Sequence, residues 1–203
     1  MRVGVCVIAC LVTARLCLAD IVGVAGGYEA PPPTLGPYEM TPFPPDDRPL
    51  WEWVDTIPSP LGGDVSLSTS LQHKRVGQGW PCWSHGYLGD VYDSAGSADA
   101  VTLYLPEETG AFYFYASNWA DSLQMITAVT DDGTTIVQGA WGCFAAYFGF
   151  YQDDPSGPPI QWIEVSCPSA GMVVVGEFGI AIPGPGAFVI LCAGLIGRMR
   201  RRP

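Results

Sequence analysis

Ser84 and His85 are the one place in this 203-residue chain where a hydroxyl nucleophile and an imidazole are sequence neighbours. Adjacent residues on a strand point to opposite faces, so the pair is poorly set to act as nucleophile and base. No Gly-x-Ser-x-Gly elbow supplies another nucleophile, and Ser84-His85 reads as a turn or strand segment fixed by local hydrogen bonds. Carboxylates offer more candidates. Asp90 and Asp93, Glu107 and Glu108, Asp131 and Asp132, and Asp153 and Asp154 are close enough in sequence to serve as acid and base in glycoside hydrolysis, which needs two groups about 5 to 10 Å apart. Nearly all fall at predicted turns, where a solvated carboxylate is the plain reading and a calcium loop the second. No EF-hand spacing is present. Calcium is therefore the one cation considered; no other cofactor and no metal site is expected.

Aromatic side chains carry a better functional signal. Trp80, Trp83, Tyr87, Tyr92, Tyr104, Tyr113, Tyr115 and Trp119 include several that alternation places outward or in loops. Flat rings on a β-surface suit sugars, because they give apolar contact while the hydroxyls keep their water. Trp83, Tyr87, Tyr113, Tyr115 and Trp119 are the candidate glycan contacts. The competing reading packs a second layer over the tyrosines.

The elements that must hold these residues are strands. In Val101 to Leu105 apolar side chains recur at every second position, and Phe112-Tyr113-Phe114-Tyr115 puts both phenylalanines on one face and both tyrosines on the other. Leu123 to Thr130 and Thr134 to Gly139 flank Asp131-Asp132-Gly133, a hairpin signal. Ala146 to Tyr151, Ile160 to Ser166 and Met172 to Ala181 complete the set. Glycine and proline punctuate the junctions, so the expected fold is all-β, an antiparallel β-sandwich of jelly-roll type over 61–181. Before it, 20–60 is rich in proline and reads as an extended arm, with Trp51 and Trp53 docking one end of it on the domain.

Charge and cysteine bound the function further. All 20 acidic residues but only three cations, Arg48, Lys74 and Arg75, lie between Asp20 and Ala181, leaving 17 net negative charges there. Such a body repels phosphate backbones, which excludes nucleic acid as a partner. Cys82, Cys143 and Cys167 are the cysteines of this region, enough for one internal disulfide; Cys143 with Cys167 is favoured, because both flank the proposed strand pair. With only His73 and His85 available, the spacing gives no zinc motif.

The two ends differ from the body. Val3 to Ala14 is free of charge and mostly apolar, and Cys17-Leu18-Ala19 has small side chains where a signal peptidase reads, so 1–19 is expected to be a signal helix cleaved between Ala19 and Asp20. At the other end no charge occurs between Glu177 and Arg198, and four of the nine basic residues, Arg198, Arg200, Arg201 and Arg202, close the chain. A helix from Pro185 or Gly186 to about Met199 would be roughly 21 Å long, a short transmembrane anchor with its arginines held on the cytoplasmic side.

Taken together, Ile182-Pro183-Gly184-Pro185, the apolar run Ala187 to Gly197 and the arginine cluster resemble the PEP-CTERM sorting signal of bacterial envelope proteins, with Gly184 where that family usually has Glu. The stretches "WSHGYLGDVY", "AFYFYA", "FGFY" and "VVVGEFGIA" are similar to ectodomains that such proteins carry. The resemblance implies export, anchoring in the membrane, and recognition of 182–203 by an exosortase-type enzyme. It implies no catalytic residue. The leading expectation is a non-enzymatic cell-surface or extracellular-matrix protein; a carbohydrate-binding module that meets extracellular polysaccharide is the alternative, and a glycan hydrolase the third.

Overall fold

The computed structural model describes residues 20–184. Expectations that fall on 1–19 and 185–203 lie outside the described residues: the signal helix, the cleavage site at Ala19, Pro185, the anchor helix, and Arg198, Arg200, Arg201 and Arg202. Among the described residues no helix is long and apolar enough to cross a membrane.

The described chain is all-β. Its first strands are β1 (Ile21–Gly27), β2 (Thr34–Leu35), β3 (Tyr38–Glu39), β4 (Thr41–Pro42), β5 (Trp53–Pro58), β6 (Asp64–Val76), β7 (Gly79–Trp80) and β8 (Asp90–Asp93). There follow β9 (Ala100–Tyr104), β10 (Ala111–Ser117), β11 (Leu123–Thr130), β12 (Thr135–Trp141), β13 (Ala146–Gln152), β14 (Trp162–Ser166) and β15 (Val174–Ala181). One sheet runs β1-β13-β10-β15-β8-β6-β9-β14-β11-β12, with β4 added to β15 and both β5 and β7 to β6; β2 and β3 pair separately. Asp131-Asp132-Gly133 turns the β11–β12 hairpin as its sequence predicts, with Leu123 opposite Trp141 and Val129 opposite Thr135.

The sheet rolls until its two end strands meet, which makes a nearly closed barrel or sandwich. Side chains join β1 to the β12 hairpin: the Ile21 amide donates to Asp132 Oδ2 at 3.0 Å, the Gly27 amide to Gln138 Oε1 at 3.2 Å, and the Thr134 hydroxyl to the Ile21 carbonyl at 2.9 Å. Inside sits a core of Phe112, Phe114, Phe148, Phe150, Leu103, Ile126 and Ile163, all without solvent exposure. Phe114 and Phe148 stack across paired strands with centroids 5.3 Å apart.

A second apolar layer lies on the other face of β10, β13 and β15. Tyr113, Tyr115 and Tyr147 are covered there by Leu35, Tyr38, Met40, Trp80 and Trp83. Every residue of β10 and β15 is consequently buried. The Phe-in, Tyr-out alternation of 112–115 is as expected, and the outward tyrosines are under cover rather than in water.

Two expectations need correction. Residues 20–60 are not an arm set apart from the domain: β1 pairs with β13, β4 with β15 and β5 with β6, with Pro42 and Pro58 at strand ends where a missing N–H costs no ladder bond. The disulfide joins Cys82 to Cys143, with Cα atoms 5.6 Å apart, and Cys167 is a buried free thiol. The pairing Cys143 with Cys167 fails because Cys167 follows β14 into the inner core, whereas Cys143 sits in the β12–β13 turn beside the loop that covers the tyrosines.

Candidate carbohydrate-binding cleft

Three tryptophans gather around one lysine at the surface. Trp51, Trp80, Trp119, Lys74, Asp93 and Met172 line an open cleft of about 400 Å³, with Gly79, Ala95 and Gly96 at its edge. Trp51 and Trp119 are more than half exposed, at 54% and 56%, while Trp80 is buried. The expected docking of Trp51 and Trp53 is thus not what these indoles do, since Trp53 is also half in water.

Local backbone explains why Trp51 stands out. It enters β5 with φ 73°, a left-handed conformation unfavourable for a side chain this large. Hydrogen bonds over-determine it: its amide donates to the His73 carbonyl at 2.7 Å, the His73 amide donates to Glu52 at 2.8 Å, and Gln72 Nε2 donates to the Trp51 carbonyl at 3.2 Å. Strand alternation on β6 buries His73 and turns Lys74 outward under the indole. Gly79 is required beside it, for its φ is 102° and a Cβ there would lie 3.0 Å from the Trp51 ring.

Lys74 Nζ lies 5.3 Å from the Trp51 centroid and 6.0 Å from that of Trp80, and it is hydrogen-bonded to Asp93 Oδ2. The second oxygen of Asp93 accepts the Ala95 amide at 2.7 Å, which forms the turn after β8. Trp119 sets its ring edge-on to Trp80 at 5.1 Å. The buried Trp80 Nε1 has no hydrogen-bond partner. The cleft therefore offers apolar ring faces with an already neutralised ion pair between them. It can stack on the C–H face of a sugar and hydrogen-bond a hydroxyl through the Lys74 ammonium, while Asp93, buried with both oxygens engaged, holds that ammonium in place and offsets its charge.

Of the five aromatics expected to touch glycan, Trp119 lies in this cleft. Trp83, Tyr113 and Tyr115 do not: their exposures are 5%, 2% and 0%. The outward face of β10 carries a second apolar layer, so alternation alone misplaced Tyr113 and Tyr115, and Trp83 belongs to the loop that covers them. Tyr87 is half-buried and lines a different cavity. Trp51, Lys74, Trp80, Asp93 and Met172 were not among those five; the left-handed turn before β5 that presents Trp51 has no simple sequence signature.

The residues weighed as catalytic candidates are drawn into separate hydrogen-bond networks. Ser84 donates its hydroxyl to the Ala145 carbonyl at 2.5 Å and accepts the Ala145 amide at 3.0 Å, clamping the covering loop to β13. His85 turns instead to Glu177, with 3.0 Å between Nε2 and Oε2, and Trp83 Nε1 donates to the same oxygen at 3.1 Å. Glu177 occupies a bulge, two residues of β15 standing against Phe114 alone between the pairs Tyr113–Gly179 and Tyr115–Gly176. Burial pushes its carboxyl up to about 8, against the opposing pull of the Trp83 hydrogen bond, and burial lowers His85 from its ordinary value.

Asp90 and Asp93 sit on β8 and are buried, not at solvated turns. Asp90 accepts Arg75 Nε at 2.8 Å and the Asp46 amide at 2.7 Å, and lies 3.0 Å from His73 Nε2. Asp46 in turn holds Arg48 through both carboxylate oxygens and the Tyr92 hydroxyl at 2.8 Å. Burial alone would raise the Asp46 carboxyl, but the hydrogen bonds from Arg48 and Tyr92 outweigh it and hold the group well below the carboxylate range. This network floors a second cavity, about 640 Å³, walled by Phe43, Pro44, Pro45, Ile57, Tyr87 and Phe178. The other carboxylates keep to turns: Asp132 accepts the Thr134 amide and Asp154 the Ser156 amide, both at 2.9 Å. Among the described residues no three His, Cys, Asp or Glu side chains converge as a metal site. No family model matches the chain, and a search of curated proteins finds no significant match either.

Proposed function

We propose that this is a non-enzymatic, exported surface or matrix protein, held at the membrane by its C-terminal helix, sorted by an exosortase-type enzyme, and carrying a jelly-roll-like ectodomain that binds polysaccharide. The observation that carries the binding activity is the cleft of Trp51, Trp80 and Trp119 around the Lys74–Asp93 pair. Bonds to His73 and Gln72 hold the Trp51 indole half-exposed in a left-handed backbone, a fixed aromatic face of the kind a ligand site uses.

The binding test is affinity electrophoresis of the full chain through gels containing single polysaccharides. Retardation by at least one polysaccharide, lost in both Trp51→Ala and Trp119→Ala, is the expected result. Equal mobility in every gel would remove the glycan reading. The sorting arm is tested separately by fractionating cells that express the wild type or a variant with Arg198, Arg200, Arg201 and Arg202 changed to Ser. Wild-type protein in the membrane fraction and the variant outside it are expected; wild type in the cytoplasm with Met1 retained would overturn export and anchoring together.

A further inference from the structure

We infer that the outer face of the β11–β12 hairpin is a self-association surface that takes a second copy of this chain. The residues that alternate outward on this hairpin are Leu123, Met125, Thr127 and Val129 on one strand and Thr135, Val137, Gly139 and Trp141 on the other. None carries a charge, in a body where 20 acidic residues oppose three cations. Leu123, Met125, Val137 and Trp141 are each about half exposed, between 49% and 56%.

Tyr28 and Phe144 extend the patch. Their rings meet edge-to-face at 6.5 Å, and the Tyr28 hydroxyl donates to the Gly139 carbonyl at 3.1 Å, which lays the tyrosine over β12. Gly139 keeps the face flat, since Leu123 Cδ1 lies 2.7 Å from where a Cβ would stand. Six side chains of this size, about half in water, present on the order of 500 Å² of contiguous apolar surface, at the upper end for a monomer. Two such faces together bury about 1,000 Å², the lower bound of a specific interface.

The area suits a second copy, and charge fixes where the two can meet. Two copies of so acidic a body repel one another over most of their surface and can approach closely only where charge is absent. A twofold pairing of the hairpin faces puts uncharged strand against uncharged strand, with the acidic rim at Asp121, Asp131 and Glu164 left in water. An anionic lipid surface carries charge throughout and offers no uncharged face to meet this one, and a sugar would find few polar partners, the hydroxyls of Thr127, Thr135 and Tyr28.

The full chain with Val137→Cys, oxidised and run without reductant, is the direct test, with Leu61→Cys as the exposed control away from this face. A reducible dimer from Val137→Cys but not from Leu61→Cys is expected, together with concentration-dependent dimer in sedimentation of the otherwise wild-type chain that Met125→Lys abolishes while its circular dichroism stays unchanged. Any of three results would overturn the proposal: wild type monomeric at every concentration, Met125→Lys dimerising as wild type does, or Met125→Lys losing retention on polysaccharide or on uncharged lipid vesicles, which would give the face to that partner.

Discussion

His85 and Glu177 hold each other at 3.0 Å across the covering loop and β15, and both do so from left-handed backbone, with φ 40° and 51°. Among the described residues five that are not glycine have positive φ, and these two are hydrogen-bonded partners. Their pairing locks the loop 82–89 over the tyrosine layer in one register, with the Cys82–Cys143 bridge at the loop's start.

The lock titrates. Folding raises the Glu177 carboxyl from an ordinary 4.5 to about 8, so the native state keeps a proton that the unfolded chain releases. The contribution of this group to stability is full below about 4.5, declines as pH rises, and is lost above about 8. His85, lowered by burial, acts in the opposite sense below its ordinary 6.5. Thermal melts across this range should show wild type losing stability from neutral to mildly alkaline pH, and Glu177→Gln flattening that limb. A wild-type curve flat between pH 6.5 and 8 would contradict the burial of this carboxyl.

Removing the disulfide should be costly. The bridge closes a loop with a sequence separation of 61, for which chain entropy gives on the order of 4 kcal/mol. Cys82→Ser should lower the urea midpoint accordingly. In the native wild type, non-reducing peptide maps should link Cys82 to Cys143, and the Cys167 thiol, buried and raised by that burial, should alkylate only after denaturation.

Gly79 ties the cleft to the backbone. Gly79→Ala imposes a side chain at φ 102° and drives its Cβ against Trp51, so we expect about 1–3 kcal/mol of destabilisation. If the cleft is the glycan site, polysaccharide retention should weaken more than stability does, because the indole must move. Retention at wild-type strength would place the ligand elsewhere.

Asp90 should matter more for stability than for binding. Asp90→Ala leaves Arg75, His73 and the Asp46 amide without their shared acceptor. Arg75 remains about a third exposed, so the cost should be about 2 kcal/mol, below that for a fully buried pair. Urea unfolding of the variant, set beside polysaccharide retention that is unchanged, checks both parts.

Period-two alternation made β9, β10 and the β11–β12 hairpin legible in the sequence, because each presents an apolar face to one core. The same signal misread Tyr113 and Tyr115, since a strand buried on both faces alternates by residue type without alternating in exposure. Proline density between 20 and 60 concealed β1 and β5, whose prolines lie outside the strands or at their ends. Trp119 was recognisable as a surface aromatic. Trp51 was not, because its exposure depends on a left-handed turn and a long-range bond to His73. Glu177 looked like any other carboxylate in a strand; its bulge comes from the register of β10 against β15, which local sequence does not encode.

The barrel seam imposes an order on folding. β1 is the first described strand, yet its ladder partner is β13 and the side chains that close it against the hairpin lie 111 residues away at Asp132. Until those strands exist, Ile21 to Gly27 has nowhere to pair, and closing so long a loop is paid in entropy before any contact returns it. Loop length therefore predicts closure as a late event in acquiring the native state, together with the still longer pairing of β4 on β15. A chain caught before it exposes two bare strand edges, of β13 and of β12, to whatever else is unfolded nearby.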